Sequence, residues 1–248
     1  MKLFPFILLL IFTMAASSSF KKHQLSHSRV KQAYENNEGP VRAYLKSCDI
    51  DTKGFQIYLR CFKYEEVLEL WAKSKSDKTY KLLETYELCG FSGTLGPKRM
   101  QGDYQIPEGF YHIDRFNPKS KFHLSLGINY PNYSDKVLSN RLSPGGDIFI
   151  HGGCQTIGCM PISDEWIDEL YVYSVEARNN GQGSIPVNIF PFKMESKKMQ
   201  TIKGAYQELK ADFKFWEDIQ DANLLFEKNR RLPSITFLEN GKHQITTE

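Results

Sequence analysis

The sequence predicts an α+β fold: a mostly β central region flanked by helices and followed by a helical C-terminal extension. Two patterns predict it. Between residues 55 and 89 apolar side chains recur at every second position, as in half-buried strands, while after residues 163 and 195 they recur at helical spacing. The composition is ordinary for a globular chain, 41% hydrophobic and 25% charged over 248 residues, which is room for one sizeable domain and an annex.

Taken in order, the chain opens with Lys2 and an apolar run from Leu3 to Ala16, followed by small residues through Ser19. The run is shorter than the roughly 20 residues that span a bilayer, so residues 1–19 read as a cleaved signal peptide. The mature protein is then expected to cross the inner membrane into the periplasm or cell envelope, with no stable membrane insertion. Residues 20–49 read as a helical lead-in broken near Gly39-Pro40. Phe55, Ile57, Leu59 and Cys61 mark a strand. Val67 to Trp71 and Tyr80 to Cys89 read as strands around a Lys75-Ser76-Asp77 turn, although Glu65 to Lys73 also fits a helix. A glycine-rich loop follows, then short strands at Tyr111–Ile113, Phe122–Leu126 and Ile148–Ile150. Ser163 is the expected N-cap of a helix with Asp164 and Glu165 in its first turn. Ile185 to Phe190 is a strand, Glu195 to Arg231 is helical, and Ile235 to Phe237 with Asn240-Gly241 suggests a hairpin.

A net charge of +3 is too dilute for a nucleic-acid footprint. Five cysteines in an exported chain leave an odd thiol; Cys48, Cys61, Cys89 and one of Cys154 and Cys159 remain for disulfides, with the pairing open.

The reactive groups concentrate in Ile148-Phe149-Ile150-His151-Gly152-Gly153-Cys154-Gln155-Thr156-Ile157-Gly158-Cys159. A strand delivers His151 to a glycine turn, and a second turn ends at Cys159. A cysteine nucleophile needs a neighbouring base, and histidine titrates near neutrality. The amides of Gly158 and Cys159 are then candidates for an oxyanion hole, and the helix from Ser163 would favour a thiolate. The competing chemistry is zinc, with His112, His123, His151, Cys154 and Cys159 as donors, but the spacing matches no compact zinc pattern.

His-Gly-Gly-Cys-Gln-Thr-Ile-Gly-Cys resembles the signature of the YkuD-type L,D-transpeptidases, His-Gly, a spacer, then Ser/Thr-x-Gly-Cys. Gln105-Ile106-Pro107-Glu108-Gly109-Phe110-Tyr111-His112-Ile113 is similar to another strand of that family. Ser92 to Lys98 and Leu124 to Pro131 resemble its YafK-like murein transpeptidase branch. The resemblance covers about residues 50–192, leaving 193–248 as the helical C-terminal extension. It departs from the better-known members in a shorter spacer, in Ile157 where they carry a second histidine, and in Met160-Pro161 where they carry Ile-Arg.

The resemblance implies an L,D-transpeptidase-like catalytic sandwich with Cys159 as nucleophile and His151 as general base. Gly152 would orient the imidazole, Thr156 and Gly158 would shape the oxyanion region, and no metal or cofactor is implied. The substrates would be peptidoglycan stem peptides, with Lys98, Arg99 and Asn129 as weaker candidates for binding their carboxylates. An amine resolving the thioester gives a crosslink or a protein attachment; water gives an L,D-amidase that trims the stem or releases a wall-attached protein. A non-catalytic wall-binding module, with Cys159 in a structural role, is the remaining alternative.

Overall fold

The computed structural model describes residues 20–247, so the expected signal peptide lies outside the described residues. One mixed sheet of eight strands, in the order β3-β2-β1-β8-β4-β5-β6-β7, organises the chain. The first three strands, β1 (Phe55–Phe62), β2 (Val67–Ser74) and β3 (Lys81–Glu87), form an antiparallel meander. Strand β8 (Pro186–Phe190) lies parallel to β1 and antiparallel to β4 (Gly109–Asn117). Then come β5 (Ser125–Ile128), β6 (Phe149–His151) and β7 (Met160–Pro161), the last pair parallel.

Strand β4 is where the sheet curls. Its first half, Gly109–His112, pairs with β8, and its second half pairs with β5. Between Ile113 and Arg115 the register slips, and such bulges bend a strand and re-aim the side chains beyond them.

Helices cover both faces, because both faces of β1 are apolar. Ile57, Leu59 and Cys61 belong to the larger core beneath α1 (Ser28–Ser47) and α3 (Ser163–Asn179). Tyr58 and Phe62 alternate with them and point the other way, into two clusters built with the C-terminal extension. That extension is not the single helix its periodicity predicts. It contains α4 (Ser196–Ala205), a 3-10 turn (Gln207–Asp212), α5 (Phe213–Asn229) and the hairpin β9 (Ser234–Phe237) and β10 (His243–Thr246). The break at Tyr206 lets Met199 and Ile202 of α4 bury in the same cluster as Trp216 and Ile219 of α5, which one straight helix could not do.

Burying the second face also buries charge. Lys63, fully enclosed, donates to Gly96 O (2.6 Å), Ile106 O (2.9 Å) and Glu108 Oε1 (2.9 Å). Glu108 in turn accepts from Gly96 N and from Trp216 Nε1, both at 2.8 Å, so the glycine-rich loop is pinned to α5. Arg60 bridges Glu69 of β2 and Glu227 of α5, each at 2.7 Å.

Two further expectations change. Helix α1 runs through Gly39-Pro40 without breaking: both residues are exposed, while Ala33, Tyr34, Val41 and Leu45 bury on either side and hold the two halves to one surface. Packing there outweighs the hydrogen bond that proline removes. The expected strand at Phe122–Leu126 begins only at Ser125, because His123 has a left-handed backbone (φ 63°). A short helix not foreseen, α2 (Tyr133–Leu138), carries a capping box in which Asn132 and Asp135 satisfy each other's backbone N–H groups. Among the described residues no helix is long and apolar enough to cross a membrane.

Candidate active site

The site forms where β6 and β7 run side by side. Ile150 pairs with Met160 and His151 with Pro161. Ile150 and Met160 point into the core. Side chains alternate along a strand, so Phe149, His151 and Cys159, the residue before β7, share the opposite, outer face. From the strand spacing and rise, the His151 and Cys159 Cα atoms lie roughly 8 Å apart, within reach of a thiol and an imidazole.

His151 is 2% exposed and stacks on Phe122, ring centroids 4.7 Å apart. Its Nδ1 is 2.5 Å from Gly152 O. A carbonyl only accepts, so Nδ1 carries the proton and Nε2 is left with its lone pair as the basic nitrogen. Burial holds the imidazole below its ordinary pKa of 6.5, against the opposing pull of Gly152 O, so it is neutral at pH 7.

Cys159 is a free thiol, half-buried. Burial pushes it above its usual 9.0 and the Asp147 carboxylate adds to that, while the Phe149 N–H and Lys98 act the other way. The helix-dipole assistance expected from α3 does not prevail: β7 separates Cys159 from the helix, and a helix field fades within about a turn. Ser163 is not the N-cap expected of it: Ile162 holds that position without a side-chain cap bond, and Ser163, the first helical residue (φ 72°), accepts from Trp166 N only at 3.4 Å.

Two turns present these groups. Gly153 N donates to Asp164 Oδ1 (2.7 Å), and a Cβ on Gly152 would run into that carboxylate and the His123 side chain. His123 itself is held by Asp168 (2.7 Å). In the second turn Thr156 Oγ1 accepts from Cys159 N (2.8 Å) and Gly158 N (3.2 Å) and donates to Cys159 O (2.9 Å). The two amides read from the sequence as oxyanion donors therefore converge on Thr156, which builds the turn that displays Cys159.

A disulfide joins Cys89, just beyond β3, to Cys154 in the middle of the His151–Cys159 loop. It answers the open pairing question and spends one of the zinc candidates; Cys48 and Cys61 are free thiols, Cys61 buried in the core. Among the described residues no three His, Cys, Asp or Glu side chains group so as to hold a metal ion.

The weaker candidates are placed less favourably. Lys98 is 4% exposed, and its ammonium is committed to Asp103 Oδ1 (2.5 Å) and Met100 O (2.9 Å). Arg99 lies over Phe215 and 3.8 Å from the buried Asp135. Asn129 Oδ1 accepts from His112 N (2.8 Å), bracing β4 against the end of β5. Sequence reading missed Phe122, Asp164 and Arg115; they reach the site through packing and register, which leave no local motif.

No family model matches the chain. It is 34% identical over 195 residues to "Putative L,D-transpeptidase YafK" of Escherichia coli strain K12, covering 78% of this chain and 75% of that protein. The counterpart in Escherichia coli O157:H7 gives the same figures. Among solved structures, the helical cell shape determining protein Pgp2 of Campylobacter jejuni aligns with a TM-score of 0.45 and 16% identity, over 75% of this chain and 74% of that one. Bd1075 of Bdellovibrio bacteriovorus aligns with a TM-score of 0.39 and 18% identity, over 67% and 60%. On its identity to YafK across most of both sequences, the chain belongs to the L,D-transpeptidase family, in its YafK-like branch.

Proposed function

We propose that the protein is a peptidoglycan-modifying cysteine acyltransferase, with Cys159 as nucleophile and His151 as general base on stem peptides. The observation that carries this reading is a free thiol on the strand position next to a histidine whose Nδ1 is engaged by Gly152 O, leaving Nε2 to take a proton, with the two Cα atoms roughly 8 Å apart by strand geometry. Membership of the L,D-transpeptidase family supplies the reaction class.

Cys159 gives its proton to His151 Nε2 as sulfur bonds to the carbonyl carbon of the amide after the stem's third, diamino-acid residue. The imidazolium then protonates the departing amine, the C–N bond breaks, and a thioester remains. An incoming amine gives its proton to His151 as its nitrogen bonds to the thioester carbonyl carbon; the C–S bond breaks, the Cys159 thiolate takes the proton back from the imidazolium, and the product is a crosslink or a protein attachment. Water in its place gives hydrolysis, which trims the stem or releases a wall-attached protein. Stabilising the oxyanion with the Gly158 and Cys159 amides requires Thr156 Oγ1 to yield its place to the substrate oxygen. Action outside the cytoplasm is supported by the N-terminal apolar run and by the Cys89–Cys154 disulfide, a bond of oxidising compartments.

Incubation with a carbapenem acylating agent, followed by intact mass and peptide mapping, tests the nucleophile. A single adduct on Cys159 is expected, and none on the reduced, folded protein would end the proposal. Stem-peptide products with and without an added amine separate transfer from hydrolysis.

The direction of the two pKa shifts gives a pH prediction. A resting pair of neutral thiol and neutral imidazole keeps its base competent down to a pH below 6.5. The acid limb of kcat/KM is therefore expected below 6.5, followed by a plateau through neutrality. Alkylation of Cys159 by iodoacetamide should climb only toward pH 9 and beyond, since the thiol is raised. Rapid alkylation at pH 5 would instead reveal a preformed thiolate–imidazolium pair.

A further inference from the structure

Arg115 is a cation on the outer face of β4–β6 that the acyl-transfer reaction proposed for Cys159 and His151 does not use. The bulge after Ile113 brings Arg115 opposite Gly127 of β5; Gly127 pairs with Phe149 of β6; and Phe149 neighbours Cys159 by the register of β6 and β7. Arg115, Gly127 and Phe149 thus form one row across three strands, with Cys159, the residue before β7, next in line. Gly127 makes the row passable: a Cβ there would stand 2.8 Å from Arg115 Nε and 3.0 Å from the Phe149 ring. The arginine side chain lies across this gap with its guanidinium 4.8 Å from the Phe149 ring centroid. That places a fixed cation about one strand spacing, roughly 4.8 Å, from the strand that carries the thiol.

The guanidinium holds two carboxylates. Asp147 Oδ1 is 2.8 Å from Nη1 and Asp114 Oδ1 is 3.1 Å from Nε, while Nη2 carries no hydrogen bond among the described residues. The side chain of Asp147 is 80% exposed and that of Arg115 42%, and a pair so open to water contributes little to stability. Asp147 also sits at φ 56°, and its carbonyl accepts from the Cys159 thiol at 3.7 Å. An exposed carboxylate therefore already occupies, beside the thiol, a fork suited to bidentate carboxylate recognition.

We infer that Arg115, braced on Phe149, is a carboxylate subsite of the cleft in which a substrate carboxylate takes the place of Asp147. This rests on the acyl-transfer reading for the identity of the ligand. Two carboxylates of a stem tetrapeptide qualify: the C-terminal one of the residue that leaves, and the distal one on the side chain of the third residue. The shared chemistry is a free carboxylate a few bonds from the scissile carbonyl. Arg115 is thus a specificity-determining residue.

The test is equilibrium binding on the full chain carrying Cys159→Ala, so that binding is read without turnover. Three tetrapeptide stems are compared: all carboxylates free, the terminal one amidated, and the distal one amidated. The free stem is expected to bind at least tenfold more tightly than one of the amidated stems, which identifies the carboxylate bound. Adding Arg115→Met should erase that difference by weakening the free stem alone, and Arg115→Lys should restore part of it. Equal affinity for all three stems, an equal loss on all three with Arg115→Met, or no stem binding overturns the subsite. Turnover by the Cys159-containing protein separates the two ideas. Stems cleaved without carboxylate discrimination leave the reaction standing and remove the subsite; stems bound through Arg115 but left intact do the reverse.

Discussion

Replacing Cys159 by alanine is expected to abolish both the acyl adduct and stem-peptide turnover, a loss of at least about a thousandfold. In the proposed mechanism the sulfur is the atom that becomes acylated, and the other free thiols cannot substitute: Cys61 lies in the core, and Cys48 follows α1 and packs against that core. Replacing His151 by asparagine should cost about 10²–10⁴-fold for a different reason. With the thiol raised above 9.0, less than about one part in a hundred is thiolate at pH 7, so the reaction depends on a base to take the proton as sulfur attacks. The two variants should part company at high pH. His151→Asn should recover activity as the solution approaches the thiol's own pKa, whereas Cys159→Ala should not recover at any pH. A rate profile of the two from pH 6 to 10 reads this directly, and parallel profiles would contradict the assigned roles.

The second large effect belongs to the disulfide. It closes a loop of 65 residues, and removing such a crosslink releases chain entropy worth about 4 kcal/mol in the unfolded state. For a domain of this size that corresponds to a fall of about 8–16 °C in Tm. The Cys89→Ser/Cys154→Ser double variant should show it in a thermal melt, and dithiothreitol should reproduce it in the wild type. A melt unchanged within a degree or two would mean that the loop is held by Asp164 and Thr156 without the bridge. The single variant Cys89→Ser should do worse in turnover than the double one, because it leaves the Cys154 thiol in the same loop as Cys159, free to capture it as an inactive disulfide.

The parts of the fold that could be read in the chain are those whose cause is local. Strand β1 announces itself because Phe55, Ile57, Leu59 and Cys61 alternate, and α3 because Ile167, Leu170, Tyr171 and Ser174 share one buried face. His151 and Cys159 were visible because one short loop holds both. Other features depend on partners far along the sequence. Pro40 looks like a break until the buried residues on either side of it are known, and the division of the last helical region at Tyr206 follows from the shape of the surface it covers. The pairing of Cys89 with Cys154 and the row from Arg115 to Cys159 are set by sheet register and by a bulge, neither of which leaves a local pattern. Lys98 shows the converse: a basic residue conspicuous in a glycine-rich loop, whose ammonium is engaged by Asp103 within that loop.

The ion network behind β1 bears on the order in which the chain can fold. Strand β1 is among the first elements made, yet its parallel neighbour β8 ends at Phe190, and Arg60 meets Glu227 only in α5. Until β8 is made, β1 lacks one of its two neighbours, and until α5 is made Arg60 lacks one of its two carboxylates. Contacts of such long sequence separation form late and slowly, since the loop must close before they stabilise anything. The growing polypeptide thus stays short of its native core until residues 186–229 have been made, and the assembly of this sheet is paced by its most distant partners rather than by its first strands.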